Sequence, residues 1–391
     1  MAAYTLLLQE KLPDSSVVMR RDSSPVPERP RQHDKSRWEL RGSEANAGAH
    51  ACLLSNGAYS IRVTDDGNSA AFLGGCCVYD CRRPDDTLCL RLNVKKLLPS
   101  SGEYAWTLSE DHAAWSFEQN GAQCAVTLAA IDGELGELIE VQLRGAGRAE
   151  LELGFRPVLA APRDMESHSA YWKLGMTAQD GENSILLHRL PKGDKPGIWL
   201  CLACDKPMTA KAGGSGEDGF LSYPAVTASV PLSLKAGEKA DVRFSLCLSY
   251  TPEGAYSGAQ HMLAMGPAEY GAMVSACASV THMSSREVDD AMGMLQRLWF
   301  ISPKSQLPPK SSLWRCGLSG DLPIICCKDD GDVVSVTKQF CLLRSCGVYA
   351  DLVFLTDEGG EYRRPVYSKV RDTLASLSLI HISEPTRHAQ I

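Results

Sequence analysis

Between about residues 50 and 250, hydrophobic and polar positions alternate with a period of two. Ile139, Val141 and Leu143 alternate with Glu140, Gln142 and Arg144. After Gly145-Ala146-Gly147-Arg148, Leu151, Leu153 and Phe155 alternate with Glu152 and Gly154. Successive strand residues face opposite sides of a sheet, so this pattern predicts two half-buried strands joined as a hairpin at 145–148. Similar runs recur at Tyr59–Thr64, Leu88–Val94, Gln123–Ala129, Ile185–Leu190 and Asp241–Leu248, separated by Gly, Pro, Asn and Asp. So many strands without intervening helices predict a mainly β fold, a large antiparallel β-sandwich.

The period then changes. Ser284 and Glu287 have capping-box spacing, and Val288, Met292, Leu295 and Trp299 follow at helical intervals. Ala268–Ser279 is rich in Ala and Met, so about 253–300 is expected to hold one or two linking helices. Beyond the loop SPKSQLPPKSS, Asp332–Cys346 reads as a helix and Asp351–Leu355 as a short extended segment. The resulting division is an N-terminal arm rich in Pro, Arg and Ser (1–45), the sandwich (46–252), a helical linker (253–300) and a further unit (301–376). The end, LSLIHISEPTR at Leu377–Arg387, reads as a translated sequencing adapter, and 377–391 is set aside as non-native.

Composition narrows the function. With 391 residues, two or three domains are expected, and 44% hydrophobic residues suffice to bury a core. A net charge of −7 predicts no strongly basic face, hence no nucleic-acid or anionic-membrane partner. No apolar run approaches the ~18 residues of a membrane span, and the expected location is the cytoplasm. The fifteen cysteines read as free thiols. Cys201 and Cys204 lie three apart on a predicted strand, where their sulfurs diverge, so no metal is expected there. Asp164, Glu166 and His168 would share one face if their segment were a strand, a conceivable metal site, although a polar loop is the simpler reading.

The stretch with most chemistry is LWRCGLSGDLPI, Leu313–Ile324. It sets Arg315 and Asp321 around Gly317, Ser319 and Gly320. A guanidinium offers a planar fork of donors and a carboxylate accepts strongly, so the pair can orient a hydroxyl-rich ring while the glycines let backbone approach. Spacing alone leaves a second reading open, in which Asp321 or Ser319 caps a helix and Arg315 pairs with a nearby acid. Trp314 is expected to pack rather than to stack on a sugar. Arg363 and Arg364 read as a solvated pair.

Three stretches carry a resemblance to the phosphorylases of glycoside hydrolase family 94, which include cellobiose and 1,2-β-oligoglucan phosphorylases, and to the phosphorylase-like region of cyclic β-1,2-glucan synthases. LLSNGAYSIRVTDDG (Leu53–Gly67) resembles the family's early Asn-Gly-x-Tyr strand. FRPVLAAPRDMESHSAYWKL (Phe155–Leu174) is similar to a sandwich segment, with Ser169 and Tyr171 in place of the usual Pro and Phe. LWRCGLSGDLPI resembles the signature at the start of the catalytic barrel, with Leu318 for Ile. The resemblance implies a β-sandwich, linker helices and the start of an (α/α)6 barrel. It also implies a homodimer and inverting phosphorolysis of β-linked gluco-oligosaccharides. Inorganic phosphate is then the co-substrate, and no cofactor is expected. It places Arg315 and Asp321 in the subsite for the transferred glucosyl unit. The family's general acid lies in a Trp-Asn-Asp context. None of the seven tryptophans here is followed by Asn-Asp, so the chain alone is expected to be inactive and no catalytic residue is assigned.

Overall fold

The alternating stretches form strands. A computed structural model describes residues 4–7, 38–43, 50–82, 86–98, 103–119, 122–166, 168–173, 175–191, 193, 196–215, 220–299, 311–314, 317–328, 332–355 and 365–377. In chain order the first strands are β1 (Tyr4–Leu7), β2 (Glu39–Ser43), β3 (Ala51–Ser55), β4 (Tyr59–Thr64), β5 (Ser69–Leu73), β6 (Cys76–Tyr79), β7 (Cys89–Leu92), β8 (Lys95–Leu98), β9 (Ala105–Ser109) and β10 (Ala113–Gln119). There follow β11 (Ala122–Ala130), β12 (Gly136–Phe155), β13 (Pro157–Ala160), β14 (Gly175–Gly181), β15 (Ser184–Arg189), β16 (Ile198–Cys204), β17 (Thr209–Ser215), β18 (Leu221–Ser249), β19 (Ile324–Lys328) and β20 (Asp351–Leu355). The helices are α1 (Pro162–Glu166), α2 (Pro252–Leu263), α3 (Met273–Val280), α4 (Ser285–Trp299), α5 (Ser311–Trp314), α6 (Val333–Ser345) and α7 (Pro365–Leu377).

The fold is mainly β, as the periodicity predicts. A 12-stranded sheet has the path β14-β15-β16-β18-β12-β11-β10-β9-β2, and a 5-stranded sheet runs β13-β6-β5-β4-β3. Tyr59, Ile61 and Val63 of β4 share one hydrophobic core with Trp115, Val126, Val141 and Phe244 of the large sheet. Sheets with one apolar face each are stable when those faces meet.

One turn is not where the sequence puts it. Residues 145–148 do not close a hairpin: β12 continues through them, paired with β18 from Gly136↔Cys247 to Phe155↔Val226. The register shifts between Gly145 and Gly147, with the surplus residues in β18 and Gly147 at φ 108°. A bulge of this kind bends the strand pair without flipping its faces. Ile139, Val141 and Leu143 before it and Leu151, Leu153 and Phe155 after it therefore all enter the same core. The arm also contains structure: β1 pairs in parallel with β20, and β2 pairs with β9.

Three helices occupy the stretch expected to hold one or two. α4 starts with the anticipated box: Ser284 N–H donates to Glu287 Oε2 at 2.8 Å, and Glu287 N–H donates to Ser284 Oγ at 3.3 Å. Its Val288, Ala291, Met292 and Leu295 join the sandwich core. α2 instead lays Ala255, Ala259 and Met262 on the outer face of the large sheet, against Ala129, Leu138, Cys201 and Cys247. No helix among the described residues is long and apolar enough to cross a membrane.

The described part of 301–376 departs from the expected barrel. β19 and β20 pair in parallel, Ile324↔Asp351 to Lys328↔Leu355, joined through α6, and α7 follows. This is a β–α–β–α order rather than a succession of helical hairpins. Two short apolar runs separated by enough chain for a crossover helix favour parallel pairing, because parallel neighbours cannot be joined by a tight turn. Phe340, Leu352, Phe354 and Val370 give the unit its own small core.

Candidate functional site

The Leu313–Ile324 stretch is built around a helix end. Gly317 N–H donates to Trp314 O at 3.0 Å and Leu318 N–H donates to Leu313 O at 3.2 Å. These two bonds, with Gly317 at φ 72°, are a Schellman motif closing α5. The hydrophobic residue such a motif places after its glycine is Leu318, which is buried. Gly317 is therefore explained by helix termination, without any need for close approach to a ligand. The chain turns again at Gly320 (φ 71°), where Asp321 N–H donates to Ser319 Oγ at 3.2 Å. Ser319 thus caps a turn, while the Asp321 side chain is exposed to solvent.

Arg315 lies outside the described residues, so its separation from Asp321 is not part of the site geometry, and the same holds for Arg363 and Arg364. Trp314, expected to pack, is instead 66% exposed. Leu318 rather than Trp314 supplies the apolar anchor, which leaves the indole exposed, as Asp321 is.

The parallel unit adds residues that the sequence did not single out. Asp351 N–H donates to Pro323 O at 2.8 Å, fixing the end of the signature to the start of β20. Burial pushes the Asp351 carboxyl above the usual carboxylate range. The negative charge of Asp321 adds to this, and the Arg344 guanidinium opposes it. Arg344 lies over the Tyr349 ring at 5.7 Å. An exposed carboxylate can accept from sugar hydroxyls and an exposed indole can stack on a sugar ring, while Asp351 is buried behind Asp321. Asp351 was hidden because its nearness to Asp321 follows from parallel pairing, which period alone does not reveal.

Other candidates disperse. Cys201 faces the α2 layer and Cys204 the sandwich core, and burial pushes both thiols up to about 12. Pro162–Glu166 is helical, because Pro162 sets the first turn, so Asp164, Glu166 and His168 do not line up on a strand. No group of three or more potential metal ligands occurs among the described residues.

Inside the sandwich sits a sealed carboxyl that no motif announced. Glu137 of β12 is fully buried, and the Tyr79 hydroxyl donates to its Oε2 at 3.5 Å while Ser69 Oγ lies 3.1 Å from that hydroxyl. Glu137 Oε1 and the Tyr59 hydroxyl have no hydrogen-bond partner among the described residues. Burial raises the carboxyl to about 8, opposed in part by the hydrogen bond from Tyr79.

No protein-family model matches the chain. Among curated proteins it is similar to a cyclic β-(1,2)-glucan synthase of Rhizobium meliloti. The two are 23% identical over an alignment of 460 residues that takes in 99% of this chain and 16% of that protein. The chain thus spans under a fifth of the length of the relative it matches. Among solved structures, a protein from the human microbiome named as a kojibiose phosphorylase overlaps 58% of this chain and 36% of its own, with 9% identity and a TM-score of 0.37. A family 92 α-mannosidase of Bacteroides thetaiotaomicron overlaps 57% of this chain and 33% of its own, with 12% identity and a TM-score of 0.35. Overlaps at this level assign neither a family nor an activity.

Proposed function

We propose that this chain is the sugar-holding portion of an inverting carbohydrate phosphorylase of the family 94 kind, one that cleaves β-linked gluco-oligosaccharides with inorganic phosphate to give a sugar 1-phosphate. The observation that carries the reading is the alignment of nearly the whole chain with a cyclic β-(1,2)-glucan synthase, in a chain that contains LWRCGLSGDLPI and exposes its Trp314 and Asp321. In such a reaction an acid protonates the leaving oxygen while phosphate attacks the anomeric carbon from the opposite face, so a single protein carboxyl suffices. The remaining work is to position two reactants. Asp321 accepts from two hydroxyls of the transferred glucosyl unit, Arg315 donates to its oxygens, and the exposed Trp314 ring offers an apolar face. The acid itself is not assigned to any of these residues.

The test is a pair of assays on purified chain with β-1,2-linked gluco-oligosaccharides. Calorimetry should show binding that Asp321→Asn weakens about tenfold, the scale of one hydrogen bond to a charged group. Glucose 1-phosphate should not accumulate with the chain alone and should accumulate with a longer protein that contains it. Release of reducing sugar without phosphate would mark a hydrolase instead, and absence of binding would overturn the reading.

A further inference from the structure

The outer face of the 12-stranded sheet is covered over only part of its length. At Leu138 and Cys247 it lies beneath α2. One step along, Glu140 pairs with Arg243 at 2.7 Å and accepts from the Tyr270 hydroxyl, and Arg243 donates to the C-terminal carbonyls of Leu263 and Met265 at 3.1 and 2.9 Å. Beyond that ion-paired belt the face is open. There β10, β11, β12 and β18 form a trough of about 470 Å³, within the ~300–1,000 Å³ usual for ligand sites.

Strand register arranges its side chains in two rows. Glu118, Gln123, Arg144 and Lys239 stand opposite one another across the four strands, as do Ser116, Ala125, Gln142 and Asp241. Ser116 and Ala125 are small and leave the hollow. The other six side chains are exposed, and none has a hydrogen bond or ion pair to another described residue. Arg144 directly opposes Lys239, a like-charge placement that lowers sheet stability rather than raising it.

We propose that this trough is a second binding site, for a neutral polyhydroxylated chain, and specifically for a segment of the β-linked glucan that the Asp321 loop does not itself hold. Two cations and two anions make the lining neutral, which disfavours phosphate or nucleic acid. Two carboxamides and a hydroxyl add donors and acceptors in the balance that sugar hydroxyls require. Three interstrand spacings give a span of about 14 Å, suited to several linked rings rather than one. The inference rests on the proposed function for the identity of the ligand and on the sheet for the site.

Amide TROSY spectra of the chain, titrated with β-1,2-linked glucopentaose, test it. Shifts are expected at 116–118, 123–125, 142–144 and 239–241. They should persist in Asp321→Asn, and the glucopentaose affinity should fall at least fivefold in Gln142→Ala/Asp241→Ala and in Ala125→Tyr, which fills the hollow. Shifts confined to 313–324 would overturn the trough and leave the loop reading standing. Trough shifts without loop shifts would uphold the trough and remove the loop. No shifts anywhere would overturn both.

Discussion

Two carboxylates, Glu137 and Asp321, define the difference between the sandwich interior and the signature loop. Glu137 sits between two sheets with tyrosines around it, fully buried, and its carboxyl is raised to about 8. Asp321 stands on a turn shaped by Ser319 and Gly320, exposed to water, where its charge is felt by the buried Asp351. The first group is held by the fold and reaches no ligand. The second is presented by the fold and holds nothing up. Perturbation alone therefore does not mark function: the strongly perturbed acid is the sealed one, while the loop acid owes its candidacy to exposure and neighbours.

The contrast can be broken by pH. A carboxyl raised in the folded state binds its proton more tightly there than when unfolded, so its stabilisation is complete below about pH 4.5 and is lost as pH rises through about 8. At about 1.36 kcal/mol per pH unit, the interval from 4.5 to about 8 corresponds to an upper bound of about 5 kcal/mol. Urea denaturation of the wild type at pH 5 and pH 9 should show this loss, and Glu137→Gln should remove most of the pH dependence. An unchanged slope in the variant would show that Glu137 is not sealed.

A smaller effect is expected at Gly317. Alanine meets no atom within 4 Å there, so the cost is purely that of φ 72°, about 1–2 kcal/mol. Chemical denaturation reads it, and a neutral Gly317→Ala would contradict the Schellman closure. Ser284→Ala should cost about 1 kcal/mol through loss of the α4 cap. Asp321→Asn should leave stability within about 0.5 kcal/mol, as expected of an exposed side chain outside any network, and change ligand binding instead. A large loss of stability in that variant would make Asp321 a structural residue like Glu137.

Much of the sandwich was legible because period two is enforced by burial. Tyr59–Thr64 matches its strand's limits residue for residue, and the alternation at 139–143 and 151–155 marks the core face correctly. The junction at 145–148 misled, because glycines that permit a turn equally permit a bulge, and only the partner strand β18 decides between them. The α4 cap was legible because both partners are local in sequence. Asp351, Arg344, Glu137 and the trough were not, since each depends on which strands lie side by side. For the candidate loop, the sequence supplied the residues and the structure supplied the closure of α5, the exposure of Trp314 and the proximity of Asp351 to Asp321. The placement of Trp314 was misread because Leu318, one turn along, takes the buried position.

On the proposed function, the signature loop holds a glucosyl unit through Asp321. Titration calorimetry of the chain with the β-1,2-linked disaccharide, comparing wild type with Asp321→Asn, reads this directly. Binding should be measurable and should fall about tenfold in the variant, the scale of one charged hydrogen bond. Equal affinity in both proteins, or no heat in either, would contradict it.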